Sequence, residues 1–180
     1  MDRLRFATVW LGGCSGCHMS FLDLDEWLIE LAGKVDVVFS PFVDTKVYPD
    51  CVDLVLIEGA VCNADHLELA HRIRARTRTV VSFGDCAVTG NVSALRNPFG
   101  GAEPVLQRAY LDTADINPQI PKEPGLVPAL LERVRPVHEI IPVDYCLPGC
   151  PPPAGRIKAL LTQLLQGKEA QLTGEQIRFG

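Results

Sequence analysis

Apolar residues fall along this chain in short continuous blocks separated by stretches of helical spacing. Residues 4–11 (LRFATVWL) form an apolar, β-branched and aromatic run that stops at Gly12 and Gly13, as a buried strand would. Over 21–31, Phe21, Leu24, Leu28 and Leu31 recur near the 3.6-residue period, with Asp23, Asp25, Glu26 and Glu30 between them. That spacing predicts an amphipathic helix, closed by Gly33. Further strands are predicted at 35–39 (VDVVF), 52–57 (VDLVLI) and 79–83 (TVVSF), with a helical stretch at 67–73. A short fifth strand is predicted at 140–143 (IIPV), where Pro142 indicates a sheet edge or a ladder end because it has no N–H to donate. After Pro151, Pro152 and Pro153, the run RIKALLTQLLQG predicts a closing helix with Leu160, Leu161, Leu164 and Leu165 on its inner face.

Strands that are continuously apolar, and that alternate with helices, belong to a parallel sheet covered on both faces. Five of them predict an α/β fold, a flavodoxin-like doubly wound parallel sheet, arranged as a single domain over residues 1–180. No internal repeat is visible. Residues 91–136 break the pattern: they are rich in Pro, Gly and Asn and show only a short helical run at 126–134. An excursion of that length is normally a functional or partner-binding segment.

Composition narrows the function classes. With 180 residues, 47% hydrophobic and 22% charged, the chain can bury a sizeable core without disulfide or metal staples. A net charge of -5, with 17 scattered basic residues, excludes the clustered cations that nucleic acid requires. The opening MDRLRFATVWLGG is too short for a leader or a spanning helix, and no window approaches the roughly 18 apolar residues of a membrane span. No membrane span and a cytoplasmic location are expected.

Seven cysteines in such a chain argue for metal or redox chemistry over a disulfide framework. In open α/β sheets, ligands bind beyond the carboxyl ends of the strands. Cys14 and Cys17 follow the first predicted strand, Cys62 the third, Cys86 the fourth, and Cys146 and Cys150 the fifth; only Cys51 belongs at the opposite edge, as a small apolar filler. Gly12-Gly13-Cys14-Ser15-Gly16-Cys17 is a C-x-x-C in a glycine-rich loop, which allows close backbone approach and aims N–H groups at sulfur. Gly84-Asp85-Cys86 supplies a third thiol, and Pro148-Gly149-Cys150-Pro151-Pro152-Pro153 a fourth on a loop pre-set by prolines. Four thiolates are the complement of a 4Fe-4S cube. A thioredoxin-like dithiol on the C-x-x-C is one alternative, and a zinc site another, although structural zinc favours paired knuckles. Cys146 competes with Cys150 for the fourth place. A flavin bound directly by the scaffold would want a phosphate-binding turn where the chain has Cys14 and Cys17.

The combination of C-x-x-C after the first predicted strand, G-D-C after the fourth and P-G-C-P-P after the fifth resembles the small subunit of nickel-iron hydrogenases, itself related to the 20 kDa subunit of NADH:quinone oxidoreductase. The resemblance covers nearly the whole chain. It implies one proximal 4Fe-4S cluster on Cys14, Cys17, Cys86 and Cys150, beside a nickel-iron centre held by a hydrogenase large subunit. Glycine and serine separate Cys14 from Cys17, which favours the hydrogenase branch over the quinone-linked one, whose first motif carries adjacent cysteines. No cysteine follows Cys150, which implies a short subunit with a single cluster. The chain is most similar to the small subunit of cytoplasmic bidirectional NAD-reducing hydrogenases, whose partners are diaphorase iron-sulfur and flavin subunits carrying FMN and NAD. Coenzyme-linked and sulfur-reducing hydrogenase small subunits, and the cluster subunit of quinone-linked complexes, are the alternatives. Glu58, in LIEGAVCN, ends a buried run at the same edge and is a candidate proton relay; a solvated loop acid is the plainer reading. Asp85 is expected to orient its loop through backbone N–H groups, and Ser15 and His18 are candidate donors to sulfur.

Overall fold

In the computed structural model, which describes residues 3–179, the apolar blocks form strands β1 (Leu4–Trp10), β2 (Val35–Phe39), β3 (Val52–Glu58), β4 (Val61–Asn63), β5 (Thr77–Phe83), β6 (Leu130–Arg135) and β7 (Tyr145–Leu147). Helices α1 (Gly16–Leu22), α2 (Trp27–Ala32), α3 (Ala64–Arg76), α4 (Asp85–Thr89), α5 (Glu103–Gln107) and α6 (Ala154–Leu165) connect or follow them. Five strands pair in the order β2-β1-β3-β5-β7, and every pairing in that sheet is parallel. This is the doubly wound α/β arrangement that the continuous apolar runs predict. No helix among the described residues is long and apolar enough to cross a membrane.

Successive residues of a strand point to opposite faces, and both faces here are covered. On one side Phe6, Leu54, Leu56, Phe83 and Leu147 pack with Phe21, Leu24, Trp27 and Leu31, and with Ile157, Leu160 and Leu161 of α6. On the other, Ala7, Val9, Val55, Ile57 and Val80 pack with Ala70 and Ile73 of α3. Leu164 and Leu165 join the first core only as partly buried neighbours.

Four local expectations are corrected. The predicted fifth strand at 140–143 is a bend, because Pro142 has no N–H for the ladder; Ile141 is buried against the second core instead, and the edge strand forms at Tyr145–Leu147. The predicted helix at 126–134 is a turn followed by β6, which pairs antiparallel with β4 in a separate two-stranded sheet. Pro128 lies inside that run, and a proline within a helix removes a backbone donor and clashes with the preceding turn. The helix predicted over 21–31 breaks into α1 and α2, since Asp25 adopts φ 49 between them. Cys51, expected to be an apolar filler, is exposed and adopts φ 56. The helix expected at 67–73 extends to Ala64–Arg76, capped by Asn63, whose Oδ1 accepts the His66 N–H at 2.8 Å.

The excursion is more structured than its composition predicts. It holds a 3₁₀ run at Asn91–Phe99, then α5, a wide turn at Arg108–Asp112 and β6.

Leu56 is fully buried on the central strand. Replacing it by alanine deletes buried methyls at a position hemmed in by neighbouring strands, so Leu56→Ala should lose about 2–5 kcal/mol of stability. Urea unfolding, with midpoint and slope fitted together, tests this; a loss below the range would mean the core collapses onto the cavity.

Candidate functional site

The sheet register sets the site. Trp10 pairs with Glu58, Glu58 with Phe83, and Phe83 with Leu147, so these four residues form one transverse row at the carboxyl ends of β1, β3, β5 and β7. Cys14 stands four residues beyond the row, and Cys86 and Cys150 each stand three beyond it. Cys17 follows on the first turn of α1 and is buried.

Backbone and side-chain ties then cross-link the loops. The first loop joins the third through Gly12 N–H to Ala60 O at 2.9 Å and Ala60 N–H to Gly12 O at 3.0 Å. The loop after β5 joins the loop after β7 twice, Asp85 N–H donating to Gly149 O at 2.9 Å and Gly149 N–H donating to Asp85 Oδ1 at 2.6 Å. Asp85 thus orients loops as its position implies, but between two loops and not only within its own. Ser20 Oγ–H on α1 donates to Pro152 O at 2.6 Å, drawing the proline loop toward the C-x-x-C helix. The Cys150–Pro151 peptide is cis.

Close approach explains the glycine before Cys86. Gly84 adopts φ 84, and a Cβ there would overlap the Cys17 sulfur. Gly12 is held the same way against the sulfur of Cys62. The glycine-rich first loop also aims an N–H at sulfur, Gly16 N–H to Cys14 Sγ at 3.4 Å.

The four cysteines singled out by motif come together. Burial pushes the Cys17 thiol up, and Glu58, Cys86, Cys14 and Cys150 push it further in the same direction by like-charge repulsion. That donor set, crowded around a glycine cradle, suits a group that brings its own positive charge and accepts several thiolates. Among the described residues, no three His, Cys, Asp or Glu side chains gather at the spacing of a single metal ion. Cys62, on β4, is half-buried; burial raises its thiol, the Arg96 guanidinium lowers it, and Cys86 raises it. Cys146 does not follow the last strand, as its sequence position suggests, but sits inside β7 opposite Ser82. It is therefore on the ladder and not in the loop of Cys150.

Glu58 is a buried acid, 1% exposed, and not a solvated loop residue. Its Oε2 accepts the backbone N–H of His18 at 2.9 Å and is hydrogen-bonded to His18 Nδ1 as well. His18 is itself buried, its ring edge-on to Phe42 and Phe83 at 5.7 and 6.3 Å between centroids. His18 therefore serves the carboxylate and not a sulfur, while Ser15 makes no cap hydrogen bond with its side chain and stands at φ 66. His18 Nε2 and Glu58 Oε1 are buried without a hydrogen-bond partner among the described residues. The pairing of Glu58 with His18 spans 40 residues and has no local signal in the sequence.

Comparison with known proteins places this geometry. The family described as NADH ubiquinone oxidoreductase, 20 Kd subunit, matches residues 14–164. An F420-non-reducing hydrogenase subunit from Methanothermobacter marburgensis is 37% identical over 179 residues, covering 95% of this chain and 56% of its own length. The chain thus spans little more than half of that relative. The NAD-reducing hydrogenase HoxS subunit delta of Cupriavidus necator is 34% identical over 181 residues, covering 98% of this chain and 86% of its own. A crystal structure of NAD+-reducing [NiFe]-hydrogenase in the H2-reduced state superposes with a TM-score of 0.93 at 41% identity, covering 99% of this chain and 100% of that one.

Glu58→Ala leaves the His18 N–H and ring buried without their acceptor and should lower stability by about 1–3 kcal/mol. Glu58→Gln keeps an oxygen for the N–H and should lose less. Equal urea midpoints for wild type and Glu58→Ala would contradict this.

Proposed function

The chain belongs to the family of the NADH ubiquinone oxidoreductase 20 Kd subunit, and we propose that within it this protein is the electron-transferring small subunit of an NAD-reducing nickel-iron hydrogenase. One observation carries the reading: Cys14, Cys86 and Cys150 leave three abreast strand ends, and all three lie close enough to act electrostatically on the buried Cys17, against whose sulfur Gly84 closes. They hold one 4Fe-4S cluster. When bound, a 4Fe-4S cube accepts and releases one electron at a time. Oxidation of one hydrogen molecule on the partner large subunit, which carries the nickel-iron centre, releases two protons and two electrons. Those electrons pass in single steps through this subunit to diaphorase subunits bearing FMN, where two of them and one proton reduce NAD.

The chain's own residues bind, orient and shield. Gly84 and Gly12 let loops close on sulfur, the Asp85–Gly149 ties fix Cys86 against Cys150, and Phe83 and Leu147 wall the inner side. Glu58 is proposed as a proton relay: it is buried, paired to His18, and its Oε1 has no protein partner among the described residues. Exposed Trp10, Met19 and Val92, on segments that carry or flank the cysteines, and exposed Phe42, edge-on to His18, support docking of the large subunit over this edge. A cytoplasmic location is part of the proposal, because NAD reduction takes place where that coenzyme is held.

A coenzyme-linked hydrogenase is the second reading, supported by the 37% identity to the F420-non-reducing relative. Full-length coverage of the NAD+-reducing chain favours the first. The anaerobically purified complex should be brown, contain about four iron and four sulfide attributable to this chain, and reduce NAD with hydrogen. Cys150→Ser should abolish cluster assembly while Cys146→Ser leaves it intact; the reverse result would reassign the fourth ligand. Hydrogen oxidation without NAD reduction would select the second reading.

A further inference from the structure

Asn91 opens the excursion immediately after the helix that carries Cys86, and its Nδ2–H donates to the sulfur of Cys150 at 3.5 Å. Resting on the cluster assignment above, we propose that Asn91 is a positioning residue for the Cys150 thiolate, whose amide hydrogen bond raises the reduction potential of the cluster held there.

The backbone is bent to make that contact. Gly90 adopts φ 86 and Asn91 φ 34, two successive residues in the left-handed region, where an L side chain is disfavoured and asparagine is among the better tolerated. This turn reverses the chain at the end of α4 and places the Asn91 amide beside a thiol 59 residues away in sequence.

The segment that follows cannot easily swing the amide away. Ser93 Oγ–H donates to Gly12 O at 2.5 Å, tying the 3₁₀ run to the loop of Cys14. Arg96 Nη2–H donates to Leu131 O at 2.5 Å, and Asn97 exchanges two hydrogen bonds with the backbone of Val134, at 2.8 and 2.9 Å. The 3₁₀ run is thus clamped to the first loop through Ser93 and to β6 through Arg96 and Asn97, with Asn91 at its start.

The electrostatic consequence has a fixed sign. One-electron reduction of a 4Fe-4S cluster adds negative charge, part of it on the ligand sulfurs. An N–H aimed at such a sulfur is a stronger hydrogen bond in the reduced state than in the oxidised one, so the donor favours reduction. Removing it lowers the potential without removing a ligand.

Two variants separate the amide from the backbone that carries it. Asn91→Gly suits the positive φ and deletes the donor, whereas Asn91→Asp keeps the side-chain shape and substitutes an acceptor. Both should retain full iron and sulfide in the anaerobically purified complex. Redox titration followed by electron paramagnetic resonance, on the signal that Cys150→Ser removes, should show reduction disfavoured by about threefold to tenfold in Asn91→Gly. Tenfold corresponds to about 59 mV for one electron. The shift should be larger, in the same direction, in Asn91→Asp. Unchanged potentials in both variants at full iron content would overturn the inference, as would a shift in Asn91→Asp alone, which would report only the added charge. Loss of iron from both would overturn tuning in favour of a role in building the site. Absence of any cluster from the wild-type chain would instead overturn the proposed function, and this inference with it.

Discussion

In a parallel sheet every strand runs the same way, so the loops leaving β1, β3, β5 and β7 all leave from one edge. The rest of this molecule depends on that constraint. Trp10, Glu58, Phe83 and Leu147 stand abreast at the edge, and the cysteines lie three or four residues past the row, or on the first turn of the helix that begins there. Shifting one strand by a single residue would turn its core side chains to the wrong face and move its cysteine out of reach. Buried side chains on both faces, Leu54 and Leu56 on one and Val55 and Ile57 on the other, hold the register against such slips.

Bringing four thiols together carries an electrostatic cost. Burial, the Glu58 carboxylate and the three other cysteines all act on Cys17 in the same direction, against its ionised form. A group with positive charge reverses that balance, and iron bound by thiolates does so directly. The loop-to-loop hydrogen bonds from Asp85, Gly12 and Ser20 hold the cysteine-bearing loops to one another.

The excursion is best understood as part of the same edge. Ser93 and Asn91 reach back to Gly12 and Cys150, while Arg96 and Asn97 bind the backbone of β6, so the 3₁₀ run is tied to the loops of Cys14 and Cys150. Its outward apolar side chains, Val92, Leu95 and Phe99, remain exposed on the isolated chain. The proposed electron relay calls for both properties, a dry inner wall around the carrier and an apolar outer wall for docking.

The layers, and the sheet edge at which the cysteines gather, are legible in the order of the amino acids alone. Continuous apolar runs demand a sheet buried on both faces, and glycine- and proline-bounded cysteines after those runs declare the edge where chemistry belongs. Local signals failed where long-range contacts decide. The apolar run at 140–143 looks like a strand until Pro142 finds no ladder partner, and the run at 126–134 looks helical until β4 supplies a neighbour for its second half. Glu58 was legible as an acid at the right edge, but its burial depends on His18, 40 residues away. Asn91 carried no motif, since a donor to sulfur is defined only when two loops 59 residues apart meet. Residue type and period are local properties of a chain, whereas the partner of a hydrogen bond is not, and it is assigned only when the chain has folded.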